Sequence, residues 1–118
     1  MRSDDVLRLY EEGYRDFKGC NLAGVDLSGQ ILMGVNFARA DLSGANLSRA
    51  FLTGVNFVGA NLSRANLQFA KLSDSCTKFN RADLRRVDVT HVDWADADLT
   101  GTCMSDPVAH RATAAVKR

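Results

Sequence analysis

The sequence is poor in the residues that break, cross-link or catalyse. A single proline and the absence of any low-complexity tract in 118 residues exclude a disordered or proline-rich chain and indicate one small folded domain. Three cysteines, Cys20, Cys76 and Cys103, are an odd number with no CxxC pair and no clustered histidines, so neither a disulfide framework nor a zinc site is signalled. They read as free thiols. No apolar run has the length of a signal-peptide core or a membrane span, which points to a cytoplasmic protein with no membrane partner. Charge of one sign is also missing: the formal net charge is +1, which gives no general pull toward nucleic acid.

What the chain does have is a rhythm. Every fifth position from 17 to 72 is large and apolar: Phe17, Leu22, Leu27, Leu32, Phe37, Leu42, Leu47, Leu52, Phe57, Leu62, Leu67 and Leu72. Two residues before these centres stand small or modest side chains such as Cys20, Val25, Val35, Ala40, Ala45 and Ala50, with Arg15 and Gln30 departing. A period of five suits neither an amphipathic helix nor a pleated strand. It suits short extended segments joined by corners, stacked into a solenoid. Phe17, Phe37 and Phe57 recur every twenty residues, so one coil has four sides.

The Ala-Asp-Leu and Ala-Asn-Leu triplets at this spacing resemble the pentapeptide-repeat family over about three quarters of the chain. The resemblance implies an all-β fold, a right-handed quadrilateral parallel β-helix. Eighteen centres give about four and a half coils, with short helical caps at the ends. The structural column on the first side is Phe17, Phe37, Phe57, Phe79 and Leu99. Trp94 is expected in the core beneath Leu72.

Three segments follow. Residues 1–14 form an N-terminal capping helix running from Ser3 to Glu12, with Ser3 as N-cap, Gly13 as stop and Val6, Leu9 and Tyr10 inward. Residues 15–106 form the β-helix. Its register slips once between Leu72 and Phe79, which places a two-residue outward bulge near Ser75 and Cys76. Residues 107–118 begin at Pro107 as a helix or tail. Three roles stay open for it: covering the last coil, pairing two protomers, or fraying.

Inside the repeat, Asp or Asn precedes most centres, as at Asp16, Asn36, Asp41, Asn56 and Asp83, where a short polar side chain can bond its own backbone. Glycine or arginine marks the corners. One carboxylate per pentapeptide is a rule of the coil, not an acid-base constellation. His91 sits at an outward corner and His110 in the tail, neither beside a nucleophile, so an enzyme is not expected. Asp93, Asp96 and Asp98 lack the spacing of a calcium loop. No cofactor or metal is implied.

Charge is uneven along the axis: residues 15–72 carry six basic and three acidic side chains, and residues 73–106 carry four and seven. With the insertion counted, Arg64 stacks on Arg86, and Arg39 shares the preceding corner with Arg81. These four form a candidate ridge for an anion or an acidic partner. The expected function is a non-enzymatic scaffold that binds a protein partner of unknown identity, as a monomer or as a weak dimer through a terminal cap. Direct nucleic-acid binding is not expected. The alternative within the family is a DNA-mimicking protein that shields gyrase, a topoisomerase, from quinolones. Ten acidic residues against ten basic ones in the repeat body oppose it.

Overall fold

The computed structural model describes residues 1–72, 77–92 and 97–103. It opens with α1 (Ser3–Glu11), whose N-cap is Arg2 and not Ser3. The helix starts one residue earlier than the Ser3 hydroxyl suggests, because the Asp5 carboxylate accepts the Arg2 N–H at 3.2 Å. Glu12 is the C-cap. At Gly13, φ is 95°, and the Tyr14 N–H turns back to the Leu9 carbonyl at 2.9 Å, which ends the helix. Val6 is fully buried, with Leu7, Leu9 and Tyr10 packed partly beneath α1. Arg15, which breaks the small-residue rule, locks this junction. Its guanidinium donates to the carbonyls of Tyr10 and Tyr14 at 2.8 and 3.1 Å and lies 3.6 Å from the centre of the Tyr10 ring.

From Asp16 onward the backbone pairs with itself one circuit later. Parallel bridges join Asp16 to Asn36, Asn21 to Asp41, Asp26 to Asn46 and Ile31 to Phe51, each twenty residues apart. Four bridging positions five residues apart make a four-sided circuit. Between Lys71 and Lys78 the offset becomes twenty-two, as in Asn56 to Lys78 and Asn66 to Asp88, and it returns to twenty from Lys78 to Asp98. Two extra residues therefore lie between Lys71 and Lys78. The expected bulge at Ser75 and Cys76, the position of Trp94, His110 and the tail all fall outside the described residues.

The described corners share one turn, and most of them add a side-chain bond. Ala40 donates its N–H to the Phe37 carbonyl at 3.0 Å, closing a turn whose third residue, Arg39, has φ 58°. The preceding Asn36 accepts the Ala38 N–H on its Oδ1 at 2.9 Å, and the same bond recurs at Asp41, Asn46, Asn56, Asn61 and Asn66. The Asp and Asn side chains thus serve the backbone.

Inside, the phenylalanines form one stack. Ring centroids lie 5.8 Å apart from Phe17 to Phe37, 5.7 Å to Phe57 and 5.0 Å to Phe79, and all four are fully buried. Tyr14 closes the top edge-on, 5.3 Å from Phe17, and Leu99 continues the column at 6% exposure.

Among the described residues Thr77 is the buried exception to the apolar interior. It is fully buried in the small-residue slot below Val55, which restores the register after the insertion. Its hydroxyl donates to the Leu52 carbonyl at 3.1 Å and accepts the Gly54 N–H at 3.2 Å. One coil earlier, the equivalent Gly34 N–H reaches the Thr53 carbonyl. A side-chain oxygen therefore serves the corner where the two residues are inserted.

Candidate functional site: the outer corners

A buried, uniform interior leaves the outer surface to carry recognition, and its corners are where the sequence varies. Glycine holds about half of those described, but Arg39, Arg49, Arg64, Phe69, Arg81, Arg86 and His91 occupy the same left-handed backbone, with φ between 58° and 62°. That conformation disfavours any residue with a Cβ, and a bulky one most. A side chain at such a corner carries a backbone strain that glycine avoids.

The four arginines marked by charge fall into two places. Arg64 and Arg86, one above the other, line a shallow groove of about 390 Å³ together with Ser63 and Arg85. Neither guanidinium makes an ion pair or hydrogen bond among the described residues. Arg85 differs. It grips Asp83 with two bonds of 2.9 and 2.7 Å, and this contact pulls the Asp83 carboxyl below its ordinary value and raises that of Arg85. Arg81 lines a separate groove beside Lys78, Asn80 and Asp98. Arg39 lies two coil steps above it, with its Cγ 3.2 Å from where a Cβ would stand at Gly59. The four arginines thus stand on the two neighbouring corners counted from the sequence, with Arg64 and Arg86 lining one groove and Arg81 another.

Charge gave no mark to two other features. The first is a stack on the third corner: the Arg49 guanidinium lies 4.9 Å from the Phe69 ring, and Phe69 stacks on His91 at 4.6 Å and 20°. The second is the outside of the fourth side, where Ile31, Met33 and Phe51 are exposed. Its signal is legible in the sequence, because Ile31, Phe51 and Lys71 interrupt the Asp or Asn rule. Among the described residues no cluster of His, Cys, Asp or Glu is arranged to hold a metal ion, and no helix is long and apolar enough to cross a membrane. Cys20 is half-buried in its inward slot and Cys103 is exposed; both are free.

The pentapeptide-repeat family model matches residues 16–49, 40–76 and 77–106, in eight copies. The chain belongs to the pentapeptide-repeat family. The membership implies a right-handed four-sided β-helix, of which the bridging pattern shows the four sides. Trypsin-treated QnrB1, a plasmid-mediated fluoroquinolone resistance protein, aligns over 87% of this chain and 52% of its own, with 19% identity and a TM-score of 0.61. A pentapeptide repeat protein from the Arabidopsis thaliana thylakoid lumen aligns over 76% and 57%, with 33% identity and a TM-score of 0.45. HetL, a protein involved in heterocyst differentiation regulation from the cyanobacterium Nostoc, aligns over 85% and 48%, with 28% identity and a TM-score of 0.42. The chain spans about half the length of these structures. No curated protein matches it.

Proposed function

We propose that this pentapeptide-repeat protein is a non-enzymatic scaffold that binds an acidic protein partner in the cytoplasm, with α1 covering the first of about four and a half coils. The observation that carries the reading is the Arg64 and Arg86 pair. Two guanidiniums without a described ionic partner share one groove, in a backbone conformation that glycine would hold more easily. Arg39 and Arg81 extend the basic surface to the neighbouring corner. The fold likeness to QnrB1 at 19% identity carries no activity, and a balanced surface charge does not make a DNA-like rod.

The test is binding to a polyglutamate surface. Replacing Arg39, Arg64, Arg81 and Arg86 by glycine, the residue already present at Gly19 and Gly24, keeps the corners and removes the charge. The variant should lose at least about tenfold in affinity, and the wild-type affinity should fall with added salt. Equal binding by the two proteins discards the basic surface.

A further inference from the structure

The fourth side of the coil differs from the other three in what it turns outward. On the other three sides the residue before the centre is Asp or Asn at every layer except Lys78 and Cys103, and it accepts a backbone N–H, as at Asn36, Asp41 and Asn46. Ile31 and Phe51 cannot make that bond, yet they stand in this position, bridged one above the other and 52% and 39% exposed. Their presence costs the coil a local hydrogen bond and leaves apolar area in water, which marks a surface that is covered by something.

The charges around this strip indicate what covers it. Glu11, on the α1 helix that packs against the start of the coil, lines the same groove as Ile31. Lys71 is bridged to Phe51, one layer below. The order along the axis is therefore acid, aliphatic, aromatic, base. Neither Glu11 nor Lys71 has an ion-pair partner among the described residues. A strip of this order is complementary to itself when turned end for end. A two-fold axis between the Ile31 and Phe51 layers sets Ile31 against Phe51 of a second copy, and Glu11 against its Lys71.

We propose that two copies of this chain pair through the fourth side in this isologous, antiparallel arrangement. A single-stranded nucleic acid is the weaker occupant. The nearby Phe69 already has its ring engaged by the Arg49 guanidinium and the His91 ring, which a base would have to displace in order to stack. A lipid surface does not match a strip carrying opposite charges at its two ends. The strip spans four layers, roughly 15 Å at the usual strand spacing. That is small beside the roughly 800 Å² per partner of a stable complex, so the dimer is weak and reversible.

Sedimentation of the full chain across a range of concentrations tests the arrangement. The mass should rise toward that of two protomers as concentration increases. Phe51→Asn, which gives this position the residue found at Asn46 and Asn56, should keep the fold by circular dichroism and weaken association at least about tenfold. Glu11→Lys and Lys71→Glu should each weaken it, and the double reversal should restore it to within a few-fold of wild type. A chain that stays monomeric up to millimolar concentration overturns the proposal. So does association that is indifferent to Phe51→Asn, or a double reversal that fails to restore it. The variant lacking the four corner arginines should associate like wild type, which separates this contact from the polyglutamate-binding surface.

Discussion

The inner phenylalanine column and the outer third corner are built on the same twenty-residue step and obey opposite rules. Phe17, Phe37, Phe57 and Phe79 stack at 5.0–5.8 Å with no exposure, each against the next ring of the column, and Tyr14 packs on the first. Gly29, Arg49, Phe69 and His91 descend the third corner in the same register, yet no residue type repeats and Phe69 is 38% exposed. The inside tolerates one chemistry because every void costs contacts. The outside has only a backbone requirement, a positive φ, which glycine meets best and which other residues meet under strain. A departure inside therefore reports on folding. A departure at the corner is a place to look for function.

The largest expected effect attacks the inner column. Phe57→Ala removes the ring that joins the two halves of the stack and should cost about 3–5 kcal/mol in urea unfolding. A loss below about 1 kcal/mol would mean that the column is not the stabilising core. Thr77→Val comes next, because it keeps the shape and deletes the hydroxyl serving Leu52 and Gly54. Leaving those backbone groups without it should cost about 1–3 kcal/mol, whereas a neutral result would show that the corner closes by other means.

The smallest effect sharpens the comparison from the outside. Arg39→Gly relieves a left-handed residue whose side chain makes no described hydrogen bond or ion pair, and should stabilise the protein by up to about 1 kcal/mol. Phe69→Gly gives the same relief but loses the stack on His91 and Arg49, worth about 0.5–1.5 kcal/mol, so its net change in melting stability should be near zero. Equal stabilisation by both variants would show that the third-corner stack contributes nothing.

Much of the coil is legible in the residues. The five-residue spacing, the twenty-residue recurrence of phenylalanine and the slip before Phe79 reappear as bridges offset by twenty and then twenty-two. The N-cap was less legible, since Ser3 and Arg2 are adjacent and the Asp5 carboxylate chose between them. The candidate site was legible only in part. Arg64 and Arg86 follow from counting, but their groove, separate from that of Arg81, depends on which way side chains leave each corner. Ile31 and Phe51 were visible as interruptions of the Asp and Asn rule, with no sign of the charges that flank them.

By itself the sequence determined the winding of the backbone, because a strict local period leaves few conformations that bury each fifth residue. Tertiary structure alone decided which outward side chains become neighbours. Glu11 shares a groove with Ile31, and Phe69 comes to lie beside Arg49 and His91, only because coils twenty or twenty-two residues apart stack directly and α1 packs against their start. Side chains that share no local pattern are brought together by the register of the stack, and that register is a property of the whole coil.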